Sequence, residues 1–230
     1  MTVLASLAYQ DSDLILEEMG RGSTNESLDE AVQRIADYTG DDPYEIRNIV
    51  LFRLSEYVAN SFDDAREALR WLGGLDHEIG VWAACQVARE ALRFVPEGEQ
   101  RPRIAIEVTE AWVRRKASLA KAMKARDAAY AASSYASDAA AYAAYAADAA
   151  TSAATSAYSA YAASAAAANA AADANTAYAT AYAASAAAGA ASAASVADTY
   201  SEQWYAVRDA ELQRLVGVVA DAIMSFPVTA

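Results

Sequence analysis

Between Lys124 and Val196 the chain contains no Leu, Ile, Val, Met, Phe, Trp, Cys or His, and between Arg126 and Arg208 it contains no Lys or Arg. Ala, Tyr, small polar residues, Asp and Gly remain, in runs such as AAAYAAYAADAATSAATSAYSAYAAS. Ala has the highest helix propensity and loses no side-chain entropy on folding, so the stretch is expected to be helical almost throughout. With no large aliphatic to bury, it cannot build an ordinary core by itself. As one uninterrupted helix it would be roughly 105 Å long at about 1.5 Å per residue, with little to hold a partner. Folded back on itself, its methyl groups let helix backbones approach closer than the usual 8–10 Å or so, which favours a compact bundle. The expected interruptions are Ser133-Ser134, the run from Thr151 to Ser156, the cluster of Asn169, Asp173, Asn175 and Thr176, and Gly189. Ser, Thr, Asp and Asn favour helix caps over helix interiors.

Tyr supplies the bulk that Ala lacks. Tyr142 with Tyr145, Tyr158 with Tyr161, and Tyr178 with Tyr182 are pairs at helical spacing, so each pair shares a face. Such rings act as knobs between Ala-lined grooves, or line a binding surface.

The composition shows no period-two alternation of β-branched residues, so the expected fold is all-α: a compact Ala-rich antiparallel helical bundle with a small acidic N-terminal helical region. No stretch is apolar enough to span a bilayer and the first residues lack a basic leader, so neither a membrane segment nor a signal peptide is expected. A single cysteine, Cys85, excludes an internal disulfide and fits a cytoplasmic protein.

Net charge is −13 and unevenly distributed. Residues 1–70 carry 15 acidic and 6 basic residues, net −9; residues 71–126 carry 7 and 10, net +3; residues 127–230 carry 9 and 2, net −7. A basic belt therefore lies between acidic ends, and we expect the acidic 1–72 region to dock on it. Phosphate recognition needs a surplus of cations, so nucleic acid is not an expected partner.

Read in order, Ser27 to Tyr38 forms an amphipathic helix with Leu28, Ala31, Val32 and Ile35 on one face. Asp42-Pro43 starts the next, carrying Ile46, Ile49, Val50, Leu54 and Tyr57. Ser61 with Asp64 resembles a cap for Phe62 to Leu72. Gly73-Gly74 then breaks the chain, dividing an acidic N-terminal helical region, 1–72, from an Ala/Tyr-rich bundle, 75–230. Leu75 to Phe94 is helical, with Ile79, Trp82, Ala83, Val87 and Leu92 inward. A helix opened by Arg101-Pro102-Arg103 continues through Arg114, Arg115, Lys116 and Leu119 into KAMKARD, its late cations complementing the helix dipole. A last helix, Ser201 to about Ser225, closes the bundle on the 75–125 helices.

The segment VWAACQVAREALRFVPEGEQRPRIAIEVTEAWVRR, residues 81–115, followed by an Ala-rich tract and then SEQWYAVRDAELQRLV, resembles the alanine-rich immunity-protein family of bacteria and their phages. The residues that carry the likeness are Trp82, Cys85, Pro96, Arg101, Pro102, Arg103, Ala105, Ile106, Glu107, Glu110, Ala111 and Trp112. It covers about 75–225, and departs from the family in carrying Tyr and Ser where such tracts often carry Arg. The resemblance implies a protein that neutralises a toxin by binding it.

Catalysis needs a positioned base, nucleophile or metal set. His77 and Cys85 lie eight residues apart on one expected helix, about 12 Å along its axis and too far for a nucleophile–base hydrogen bond. No zinc-ligand spacing and no phosphate loop is present, so no enzyme, metal or cofactor is expected. Candidate binding residues are Arg101 and Arg103 at a helix start, where backbone N–H groups favour an anion, with Arg114, Arg115, Lys116, Tyr142, Tyr145, Tyr158 and Tyr161. Pairing of Arg101 and Arg103 with Glu97, Glu99 or Glu107 is the competing arrangement. The expected function is a non-catalytic helical binding protein of the immunity type, occluding a protein partner such as a basic toxin. The alternative is a nucleotide- or anion-sequestering protein with phosphates at the basic belt and bases on Tyr faces. Ala-lined faces also favour a homodimer.

Overall fold

The computed structural model describes residues 28–133, 145, 147, 150, 182–193 and 201–227. It is an all-α helical bundle, with no strand among the described residues.

α1 (Leu28–Thr39) buries Leu28, Ala31 and Val32 as its spacing predicts, with Ala36 buried beside them and Ile35 only partly so. It ends at Gly40, whose φ of 75° is left-handed and lets its N–H reach the carbonyl of Ala36 at 2.8 Å. Asp42 then caps α2 (Pro43–Ser61) by accepting from the Tyr44 N–H at 2.9 Å, with Pro43 where a missing N–H costs nothing. α2 buries Ile46, Val50, Leu51, Leu54 and Val58, whereas the expected Tyr57 is 38% exposed.

α3 (Ala65–Leu75) begins later than the sequence suggests. Asp64, not Ser61, is its cap, and Phe62 lies outside it. The break expected at Gly73-Gly74 does not occur. α3 runs through both glycines to Leu75, and Asp76 alone separates it from α4 (His77–Ala91). The reason is a close crossing: a Cβ on Gly80 of α4 would lie 2.6 Å from the Cα of Gly73. Here glycine serves interhelical approach rather than a turn.

α4 is central. It is buried on nearly every side from Ile79 to Cys85 and again at Val87, Ala88 and Ala91, and it packs on α3, on α5 (Arg101–Val113) and on α7 (Glu202–Met224). A short 3₁₀ turn, Leu92–Phe94, leads out of it. α6 (Leu119–Ser133) packs on α5 and buries Ala122, Ala125 and Ala129. α7, capped by the Ser201 hydroxyl, lies on α2 and α3 as well as α4, a wider contact than the 75–125 helices alone. Beyond it, the buried guanidinium of Arg47 donates to the carbonyl of Pro227 at 2.9 Å and lies 5.3 Å from the Phe226 ring, holding the segment that follows α7 on α2.

The parts of the alanine tract that are described join the same core. Ala147, Ala150, Ala183, Ala184, Ala186, Ala187, Ala188 and Ala190 are buried in one apolar cluster with Leu54, Leu72, Ile106, Leu215 and Ile223. Methyl groups thus pack against the aliphatics of the flanking helices. Gly189 does not interrupt the tract: it is buried inside a helix that runs over 182–193. The turns expected at Thr151 to Ser156 and at Asn169 to Thr176 lie outside the described residues. The core cluster draws on residues from both sides of position 75, so the acidic N-terminal helices and the later ones share a single apolar interior.

Candidate functional site

One stripe of α4, made by Glu78, Trp82, Gln86 and Arg89 at spacings of four, four and three, meets the end of α5. At the centre is Glu110 of α5, a carboxylate only 5% exposed. Arg89 grips it in two-pronged fashion, Nε to Oε1 at 2.6 Å and Nη2 to Oε2 at 2.8 Å, and Gln86 donates to Oε1 at 3.0 Å. Arg114, one turn on, approaches Oε2 at 3.6 Å while its guanidinium lies 4.5 Å from the centre of the Trp82 ring. The Trp82 indole N–H donates to the Ala222 carbonyl at 3.1 Å, tying this network to α7. Burial pushes the Glu110 carboxyl up, but the hydrogen bonds and charge of Arg89, with Gln86 and Arg114, outweigh burial and hold it below its ordinary range. Cys85 beside it is fully buried; burial, and next the Glu110 charge, push its thiol well above the usual value, so it is not poised as a thiolate.

The expected continuous helix from Arg101 to Arg126 is in fact two. α5 stops at Val113, and Arg115 takes a left-handed φ of 59°, where glycine is the usual choice. The turn is closed by Arg115 N–H to the Trp112 carbonyl at 2.8 Å and Lys116 N–H to the Ala111 carbonyl at 2.7 Å. An ion pair holds Arg115 there: its guanidinium meets Glu78 at the start of α4. Glu78 is penalised by burial more than Arg115 relieves it, with Asp76 and Asp29 adding repulsion, so its carboxyl lies above the ordinary range. Ser118 opens α6, accepting from the Lys121 N–H at 3.3 Å.

The expected site residues are therefore not one surface. Arg101 and Arg103 start α5, whereas Arg114, Arg115 and Lys116 follow its end, roughly 20 Å away at about 1.5 Å per residue. The carboxylate at the first turn of α5 belongs to Glu99, which accepts from the Arg101 backbone N–H at 2.9 Å and from its guanidinium, and the Arg101 side chain holds that carboxyl down to about 2. Arg103 is exposed and borders a cavity of about 190 Å³ with Leu92, Val95, Pro96 and Glu97. Tyr145 is half-buried, 6.1 Å from the ring of Tyr130, while Tyr142, Tyr158 and Tyr161 lie outside the described residues.

The ion pairs of the belt run within it, to the adjoining Asp127 or to α7: Arg89 and Arg114 to Glu110, Arg101 to Glu99, Arg115 to Glu78, Arg126 to Asp127, and Arg93 and Glu90 to Glu211 and Arg214. One polar contact with the N-terminal helices is made by an acid of the belt. Asp76 accepts from the first N–H of α1 as well as from α4. Lys116, Lys121 and Lys124, the only lysines in the chain, are all exposed, and none forms an ion pair with a described residue.

Sequence reasoning passed over Gln86, Arg89 and Asp76. The spacing of Gln86 and Arg89 with Trp82 was a legible signal, but only the pairing of α4 with α5 gives it meaning. Compared with known proteins, the chain matches no family model, and neither a curated protein nor a solved structure matches it at a significant level.

Proposed function

We propose that this is a non-catalytic helical binding protein of the immunity type, which neutralises a basic protein partner, such as a toxin, by covering its surface. The observation that carries the reading is the placement of charge. Arg89, Arg93, Arg101, Arg114 and Arg115 are engaged by carboxylates of the same chain, so these cations are turned to internal use in a chain whose net charge is −13. Such a field accelerates encounter with a basic surface and weakens as salt rises. Affinity capture with the full chain, followed by titration of the captured protein's own activity, tests it. We expect stoichiometric loss of that activity, diminished by salt; capture that leaves the activity intact overturns the reading.

The nucleotide- or anion-sequestering alternative has less support. Arg101 is engaged by Glu99, and carboxylates line the cavity that Arg103 borders. Thermal-shift titration with nucleotides distinguishes the two, since a ligand bound to the folded state raises its melting temperature.

A further inference from the structure

Two exposed corners of the molecule are complementary in charge. The first joins α1 to α2, where Tyr38 is 91% and Tyr44 60% exposed among Asp37, Asp41, Asp42 and Glu45, with no cation between Arg34 and Arg47. The second joins α5 to α6 and runs into α6, where Lys116, Lys121 and Lys124 are exposed and Met123 is 37% exposed. Lysine ammonium groups seat on carboxylates and on tyrosine faces alike.

Among the described residues no ion pair joins the two corners. The start of α1 is fixed beside the α5–α6 turn, because Leu28 bonds to Asp76 and Glu78, two residues on, pairs with Arg115. α1 runs 12 residues from there, so the tyrosine corner at its far end lies roughly 17 Å from Leu28 at about 1.5 Å per residue. A second copy of this chain carries the matching surface.

We propose that the protein associates head to tail with itself, the lysine corner of one copy docking on the acidic tyrosine corner of the next. The contact joins two different surfaces, so it leaves one of each open and extends into chains unless the rotation closes a ring. It is independent of the function proposed above and needs no outside partner to test.

Light scattering over a concentration series provides the test. In low salt the mean mass is expected to rise above the 24.3 kDa of one chain, and to return to it at ~1 M salt, where charges are screened beyond about 3 Å. The triple variant Lys116→Glu/Lys121→Glu/Lys124→Glu and the double variant Asp37→Lys/Asp41→Lys are each expected to stay at single-chain mass. Mixed together, they are expected to associate again, because each restores the other's complement. Tyr38→Ser/Tyr44→Ser alters only exposed rings, so it keeps the fold and is expected to weaken association several-fold. A wild-type protein that remains at single-chain mass in low salt overturns the proposal. So does association that survives either charge reversal, or a lysine corner that retains a single-stranded oligonucleotide while the protein stays monomeric.

Discussion

The carboxylate of Asp76 accepts a hydrogen bond at 3.0 Å from the backbone N–H of Leu28, a residue 48 positions earlier in the chain. Its other oxygen accepts from Glu78 and Ile79 at 2.9 and 3.0 Å, capping α4, while its own N–H closes α3 on the Leu72 carbonyl at 2.9 Å. One residue thus ends α3, starts α4 and satisfies an orphan donor of α1. Asp76→Ala removes two caps at once, each worth about 1 kcal/mol, so a loss of about 2 kcal/mol is expected in urea unfolding. Asp76→Asn keeps one acceptor oxygen and is expected to recover about half of it.

Gly80 and Gly217 make an internal comparison. A methyl at Gly80 meets the backbone of Gly73, which cannot swing aside as a side chain would, and Gly80→Ala is expected to cost about 1–3 kcal/mol. A methyl at Gly217 in α7 meets nothing within 4 Å, and Gly217→Ala is expected to stabilise by about 0.5–1 kcal/mol through helix propensity. Thermal melting of the two variants checks both signs.

Glu110 makes stability depend on pH in a stated direction. Its carboxyl lies below the ordinary 4.5, so its contribution is fully present above the unfolded-state value and is lost as pH falls through the lower, folded-state one. Glu78 is shifted the other way: its contribution is present below 4.5 and is lost as pH rises through its raised value. Glu110→Gln is expected to cost about 1–3 kcal/mol near neutrality, by leaving Arg89 without its charged partner, and to flatten the acid limb of stability against pH. An unchanged acid limb in that variant counts against this assignment.

Arg115 holds a left-handed turn against its own side chain. Arg115→Ala and Arg115→Gly both lose the pair with Glu78, but only glycine relieves the backbone, so the glycine variant is expected to be the more stable of the two by about 1 kcal/mol. Equal stabilities would place the strain elsewhere.

The signals that depend on near neighbours were legible in the sequence. Asp42-Pro43 marks the start of α2, the Leu28, Ala31, Val32 stripe marks α1, and the alanine content marks helix. Those that depend on distant partners were not. Gly73-Gly74 looks like a break because a glycine pair permits both a turn and a close crossing, and only the position of Gly80 decides between them. The α5–α6 turn is hidden because Arg115 occupies the place where glycine would announce it. The site was misassembled for the same reason: Arg101 and Arg115 read as one basic run until α5 is seen to hold them at opposite ends, each facing a glutamate of its own.

Because every lysine of the chain falls on the exposed α5–α6 turn or in the first two turns of α6, a lysine-specific protease can cut nowhere else. Digestion would split the polypeptide beside that turn, and the rate of cleavage would report how often the junction opens. Amine-directed dyes would decorate the same corner, together with the α-amine of the chain.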